Sequence, residues 1–188
     1  MEENMEENIE ENEKKQKKPF ERFINIICNI LLTLCITVMI LRIFVFDIGH
    51  VPSGSMEPTL HIGCNLLINK LTTHYTRGDI VVFKSEEFDK ILVKRLIGEP
   101  GDHILLDGDK TYINGNLFVE DYVENPTNGV DVFEFDVPEG CYLFLGDNRY
   151  SSNDARLWKE PYIKEEALMG EVCLVFDTSS SIWIYIPK

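Results

Sequence analysis

The clearest feature of the chain is one long apolar run near the N-terminus, followed by many short apolar segments. Residues 23–46 read FINIICNILLTLCITVMILRIFVF, and their uncharged part, Phe23 to Leu41, is 19 residues long. A helix rises about 1.5 Å per residue, so this part spans roughly 28 Å, close to the ~30 Å hydrocarbon core of a bilayer. The run predicts one membrane-spanning helix, and we assign residues 20–46 to a transmembrane anchor.

Residues 1–19, which precede the anchor, are acidic and then basic. Residues 1–13 form an acidic repeat with little to bury, and we interpret them as a disordered tail. Four lysines between positions 14 and 18 follow, and the positive-inside rule then puts residues 1–19 in the cytoplasm. The apolar run is longer than the h-region of a cleaved signal peptide, and no A-x-A-like site follows it. We therefore expect a retained anchor, with residues 47–188 outside the cytoplasm.

Residues 47–188 alternate short β-branched and aromatic segments with turn residues, which predicts a mostly β domain. The absence of a βαβ alternation argues against a parallel α/β sheet. Asn114-Gly115 predicts a hairpin turn, residues 120–131 an exposed loop, and residues 165–169 a short helical turn. The expected strands are 64–69, 80–83, 91–97, 104–106, 112–113, 116–119, 132–137, 141–145, 172–176 and 182–186.

Charge and cysteine content narrow the class of function. The formal net charge is −14, and residues 47–188 carry 12 Lys and Arg against 24 Asp and Glu. Such a surface argues against a nucleic-acid partner, because phosphate binding needs a basic face. Cys64, Cys141 and Cys173 are an odd number without CxxC spacing, which fits neither a disulfide framework nor a zinc site. The pattern leaves one disulfide among them open.

The stretch Val51-Pro52-Ser53-Gly54-Ser55-Met56-Glu57-Pro58 is the first candidate for chemistry. Prolines fix the backbone on both sides, and Gly54 permits conformations that a Cβ would resist. Ser55 would then stand on a stiff turn, with its own N–H and the Ser53 hydroxyl available as oxyanion donors. The structural alternative is a turn that satisfies only its own backbone.

A serine nucleophile needs a base, and Lys94 is the most unusual candidate. It lies inside the apolar segment Leu92-Val93-Lys94-Arg95-Leu96-Ile97, and alternation puts it on the face of Leu92 and Leu96. Burial disfavours the ammonium and lowers its pKa, as a general base requires. The alternatives are a Lys94 that snorkels or pairs with a carboxylate, and a base drawn from His50, His61, His74 or His103.

A third stretch, residues 146–156, reads GDNRYSSNDAR and is dense in short polar side chains. It is either a hydrogen-bonded network of its own or a support for a catalytic base. Asp147 and Asp154 are candidates to pair with arginines. The aspartates lack the alternating oxygen ligands of a calcium loop, so no metal site is expected.

Together these stretches, in this order after a single anchor, resemble the bacterial type I signal peptidases. The resemblance includes Arg77-Gly78-Asp79-Ile80-Val81-Val82-Phe83 and Lys94-Arg95-Leu96-Ile97-Gly98-Glu99-Pro100-Gly101-Asp102, and it covers roughly residues 20–188. It is closest to the compact Gram-positive kind with one anchor. Two departures are Ala155, where the family often has serine, and Glu99, where an apolar residue is common.

The resemblance implies an antiparallel β catalytic domain and a Ser-Lys dyad. Ser55 would be the nucleophile and Lys94 the general base, with an oxyanion hole from the Ser55 N–H and the Ser53 hydroxyl. Ser152 would orient the lysine, and Met56 would line the substrate cleft. The supporting residues of the loop would be Asp147, Arg149, Asp154 and Arg156.

The expected activity is removal of signal peptides from exported precursor proteins, with the lipid bilayer as the second partner and no cofactor. The sequence leaves the oligomeric state open. Two other functions are compatible with it. One is a catalytically silent, membrane-anchored module that holds exported chains. The other is a related Ser-Lys peptidase with a narrow task, such as maturation of pilins or sporulation proteins.

Overall fold

The computed structural model describes residues 2–124, 131–177 and 183–185. The chain divides into two compact units, Met1–Phe44 and Val45–Lys188. The first unit is a single helix, α1 (Glu2–Phe44). Its segment Arg22–Phe44 is long and apolar enough to cross a membrane. This fits the predicted anchor, although the bounds 20–46 stay a prediction.

The helix differs from the sequence prediction at both ends. The acidic repeat, expected to be disordered, is helical from Glu2. Glu, Gln, Lys and Met are strong helix formers, and an adjoining helix removes the cost of a separate nucleus. At the other end Phe46, assigned to the anchor, is instead the first residue of a strand.

Over its described residues, the second unit is built from antiparallel strands in two sheets, which confirms the predicted mostly β fold. The strands are β1 (Phe46–His50), β2 (Asn65–Asn69), β3 (Ile80–Ser85), β4 (Lys90–Gly98), β5 (His103–Asp107), β6 (Lys110–Ile113), β7 (Asn116–Phe118), β8 (Val132–Asp136), β9 (Cys141–Leu145), β10 (Tyr162–Lys164), β11 (Leu168–Asp177) and β12 (Trp183–Tyr185). The larger sheet has the order β1-β2-β11-β3-β4-β9-β10, with β12 paired to β11. The smaller sheet has the order β7-β6-β5-β8.

Most predicted strands and turns lie where the pattern put them. Asn114 and Gly115 join β6 to β7 with φ of 51° and 79°, the left-handed values that a two-residue hairpin turn needs. A short 3-10 helix covers Glu165–Ala167. β1 and β10 were not predicted from the sequence. Of the predicted loop 120–131, residues 125–130 lie outside the described residues, as do residues 182 and 186 of the predicted last strand.

Two apolar clusters hold the second unit together, and β4 contributes to both. The larger cluster contains residues of both sheets, among them Leu96, Phe144 and Ile104, and Phe144 stacks on Phe83 at 4.5 Å. The smaller cluster includes Met56 and has Val93 packed against it. Because side chains alternate between the two faces of β4, Leu96 packs in the larger cluster and Val93 against the smaller one. Lys94 stands between them in sequence, opposite Val81 of β3.

Candidate active site

Ser55 stands in a short 3-10 helix, Gly54–Met56, that is held firmly to the core. The side chain of Met56 is 0% exposed, and Val51 is buried on the other side of the turn. Asn148 fixes the turn from across the site, since its side-chain amide donates to the Gly54 carbonyl at 3.1 Å and its backbone N–H to the Ser55 carbonyl at 3.2 Å. The serine is thus presented on a backbone that other elements position.

Lys94 comes from the middle of β4 and reaches the serine directly. Its Nζ lies 2.5 Å from Ser55 Oγ and 3.2 Å from Ser152 Oγ, and the residue is only 3% exposed. Ser53 Oγ lies 3.5 Å from Ser55 Oγ on the other side. Residues 55, 94 and 152, which the sequence placed in three separate stretches, therefore meet in one hydrogen-bonded group.

Burial lowers the pKa of Lys94 from 10.5 to about 8. The carboxylates of Asp154 and Asp147 oppose this change by favouring the ammonium, and the guanidinium of Arg156 adds to it. The lysine is therefore neutral in a substantial fraction of molecules at mildly alkaline pH. A neutral amine 2.5 Å from a serine hydroxyl can accept its proton.

The aspartates of residues 146–156 do pair with arginines, but one partner comes from elsewhere. Asp154 accepts from Arg156 through both carboxylate oxygens, at 2.8 Å each, and from the Gly146 N–H at 3.0 Å. Asp147 accepts from Arg95 of β4, at 2.8 and 2.6 Å, in a pair whose side chains are 0% exposed. Lys94 and its neighbour Arg95 thus contact the same loop.

Several residues that contribute to this arrangement were not singled out as site residues by the sequence. Thr59 donates to Asp147 at 2.5 Å, and Asn148 holds the serine turn. Glu120, expected on an exposed loop, pairs with Arg149 and its side chain is 6% exposed. The partner of Arg95 could have been expected from the sequence, because a second cation in an apolar strand needs a buried partner. Glu120 carried no signal in its sequence neighbourhood.

Gly146 is the tightest point of the site. A Cβ built on it would meet the Ser55 carbonyl oxygen and Ser152 Oγ, and would lie 2.5 Å from Ser152 Cβ. Backbone cannot yield as a flexible side-chain end can, so only glycine fits between the nucleophile turn and Ser152.

We expect Gly146→Ala to lower kcat about a hundredfold, because a displacement of about 1 Å between reacting groups has that effect. Cleavage kinetics with a circular dichroism spectrum of the same sample would measure it. A folded variant with the parent kcat would show that the loop can shift without disturbing Ser55 and Ser152.

A cavity of about 840 Å³ opens beside the dyad. Ser53, Ser55 and Lys94 lie on its wall, and apolar side chains from β1, β2 and β4 form much of the rest, including Ile48, Leu66, Ile91 and Leu92. Met56, expected to line the cleft, is instead buried in the smaller apolar cluster and is not part of this wall. Ser55 and Met56 are successive residues of a 3-10 helix, whose three residues per turn point neighbouring side chains about 120° apart.

The other candidates from the sequence have different surroundings. Among the described contacts of the histidines, His50 meets Asn65 at 3.4 Å and His103 meets Asp136 at 2.8 Å. Lys94, and not a histidine, meets Ser55. No disulfide joins Cys64, Cys141 and Cys173 in the part of the chain that the structure describes, so the pairing that the sequence left open is not formed.

Comparison with known proteins gives a consistent result. Residues 24–177 match the model of the family described as "Signal peptidase, peptidase S26". Signal peptidase I T of Bacillus subtilis is 38% identical over 151 residues, which are 73% of this chain and 77% of that protein. Probable signal peptidase I-2 of Synechocystis is 36% identical over 145 residues, 72% of this chain and 65% of that protein.

A solved structure, that of a signal peptidase I from Enterococcus faecalis, is 32% identical and covers 53% of this chain and 97% of its own, with a TM-score of 0.48. The family model alone matches most of the chain, including every residue of the Ser55, Lys94 and Ser152 group. The chain belongs to the signal peptidase family, peptidase S26, and is a serine peptidase.

Proposed function

We propose that the chain removes signal peptides from exported precursor proteins with a dyad of Ser55 as nucleophile and Lys94 as general base. The observation that carries the proposal is the 2.5 Å contact between Lys94 Nζ and Ser55 Oγ, together with the burial that lowers the pKa of the lysine to about 8. A module that only holds exported chains would have no need of a buried lysine on a serine.

The steps follow from the positions of the groups. Neutral Lys94 takes the proton of the Ser55 hydroxyl, and Ser55 Oγ attacks the scissile carbonyl. The Ser55 N–H and the Ser53 hydroxyl, whose oxygen is 3.5 Å from Ser55 Oγ, stabilise the oxyanion. Lys94 then gives its proton to the leaving amine. The acyl-enzyme is hydrolysed by a water molecule that Lys94 activates in the same way.

The supporting residues keep this geometry. Ser152 orients the lysine from 3.2 Å, which limits the rotation of the Nζ away from Ser55. Asp147 and Arg95 tie the loop to β4, and Asp154 with Arg156 closes it on itself. No step requires a metal or an organic cofactor.

The edge strand beside the cavity supports a specific way of binding a precursor. β1 is an edge strand of the larger sheet and lies on the wall of the cavity. An extended precursor segment can therefore add to this edge through backbone hydrogen bonds. Its side chains at −1 and −3, the first and third residues before the scissile bond, which the family resemblance implies to be small, then enter the cavity. We place the helix Arg22–Phe44 across the cell membrane, with the N-terminus in the cytoplasm because of the lysines that precede it.

The test is cleavage of a precursor by the full chain reconstituted in lipid vesicles. We expect loss of the signal peptide from several unrelated precursors, with the new N-terminus identified by mass spectrometry. A parent chain that binds precursors and cleaves none would contradict the proposal and favour the holding module. Cleavage of one precursor from the panel, with the rest ignored, would restrict it to a narrow task.

A further inference from the structure

The buried carboxylate of Glu120 connects the segment after the smaller sheet to the loop that supports the active site. Glu120 lies two positions after Phe118, the last residue of β7, on the segment that leaves the smaller sheet. Both carboxylate oxygens bind the Arg149 guanidinium, one to Nη1 at 2.9 Å and the other to Nη2. The two side chains are 6% and 8% exposed.

Arg149 also contacts other residues of its own loop, residues 146–156, which supports the dyad. Its Nε donates to the Gly146 carbonyl at 3.1 Å, and its own carbonyl accepts from Arg156 at 2.9 Å. Gly146 is the residue that leaves no room between the Ser55 carbonyl and Ser152. One guanidinium therefore holds the point at which the nucleophile turn and the lysine-orienting serine meet.

Glu120 is itself held in place by two hydroxyl groups. Thr111 of β6 donates to it at 2.6 Å, and Tyr122 donates at 2.7 Å. Burial opposes its ionisation, but the hydrogen bond and charge of Arg149 keep the pKa of Glu120 below its usual value. The ring of Tyr122 lies 3.8 Å from the guanidinium carbon of Arg95, which pairs with Asp147. Residues 120–122 thus contact both buried arginines that support the loop.

We propose that Glu120 is a positioning residue of the peptidase, which sets the placement of Gly146 and Ser152 against Ser55 and Lys94 through Arg149. The inference rests on the proposed Ser55–Lys94 mechanism. Glu120 touches neither the substrate cavity nor the dyad among the described contacts. Its effect is therefore expected on turnover, while substrate binding is left nearly unchanged.

The charge of Glu120 gives the proposal a specific signature. The charged groups that act on Lys94 are Asp154, Asp147 and Arg156, and Arg149 is coupled to Asp154. Glu120→Gln removes the negative charge that compensates the Arg149 guanidinium. The added positive charge near Asp154 and Lys94 disfavours the lysine ammonium and lowers the pKa of Lys94. The acid limb of the kcat/KM profile should then move to lower pH, although the maximal rate falls.

The experiment compares the parent chain with Glu120→Gln and Glu124→Gln in lipid vesicles on one cleaved precursor, from pH 6 to 10. Glu124 is an exposed glutamate of the same segment, so its variant is the matched control. We expect Glu120→Gln to lower kcat between about ten- and a hundredfold, with KM changed less than twofold. In Glu120→Gln/Arg149→Gln the acid limb should return to the parent position while kcat stays low, because the charge is balanced but the Gly146 contact is lost.

The possible failures are distinguishable. A parent chain that cleaves no precursor overturns the proposed function and this inference with it. A folded Glu120→Gln with parent kcat, or one whose acid limb stays in place, overturns the positioning role alone. If Glu120→Gln does not fold, Tyr122→Phe tests the positioning role instead. This variant removes one hydrogen bond to the Glu120 carboxylate and keeps the aromatic ring against Arg95. A fall in kcat of about fivefold supports the role, and an unchanged kcat overturns it.

Discussion

Lys94→Met is expected to lose between about 10⁴- and 10⁶-fold in kcat, because it removes the only amine that contacts Ser55 among the described residues. Methionine has nearly the volume of lysine, so the buried space beside Leu92 and Leu96 stays filled. Lys110→Met, on an exposed position of β6, is the matched control and should keep the parent rate. Precursor cleavage in vesicles measures both variants.

The pH dependence of the parent separates a general base from a structural lysine. Lys94 works as a base only when neutral, and its pKa is lowered to about 8 by burial. The value of kcat/KM should therefore rise with pH through a midpoint near 8. Lys94→Arg keeps a charge that cannot be lost and should be inactive at every pH. A folded Lys94→Met that still cleaves would return the role of base to another group.

Ser55→Ala is expected to lose about 10⁶-fold in kcat, since no other hydroxyl of the group is placed to attack in its stead. Ser152 is directed at Lys94 from 3.2 Å, and Ser53 borders Ser55 at 3.5 Å. The variant should still bind precursor with the parent affinity, because the cavity wall is otherwise intact. Thr73→Ala, which removes an exposed hydroxyl, is the control.

Binding and turnover are measured separately for this variant. A crosslinkable precursor reports occupancy of the cavity, and the released signal peptide reports turnover. Occupancy with no release would agree with a lost nucleophile. Release at the parent rate would exclude Ser55 from the chemistry, whatever its distance to Lys94.

The local pattern was enough to predict the β architecture and the serine and lysine stretches. Alternation in residues 91–97 and the turn at Asn114-Gly115 depend on neighbours in sequence, so the prediction agreed with β4 and with the β6–β7 hairpin. The site roles of Ser152 and of the four charged residues of its loop came from the family resemblance. Only the structure shows which groups these residues contact.

Long-range pairing explains what the sequence did not reveal. Arg149 was assigned to the loop, but its partner Glu120 is 29 positions away, just beyond the end of β7. Asp147 pairs with Arg95 across 52 positions rather than with an arginine of its own loop. The family resemblance placed Met56 in the cleft, whereas packing of the turn buries it. None of these partners has a periodic or local signature.

The buried lysine also has a consequence for the stability of the chain. An unfolded chain would protonate Lys94 with a pKa of 10.5, and the folded chain does so at about 8. At about 1.4 kcal/mol for each pH unit, the fold is destabilised by about 3 kcal/mol at every pH below about 8. The penalty shrinks between about 8 and 10.5, where the unfolded chain binds the extra proton, and vanishes above. A neutral side chain of similar volume at position 94 would be free of this penalty, so the lysine that the proposed mechanism needs lowers the stability of the fold.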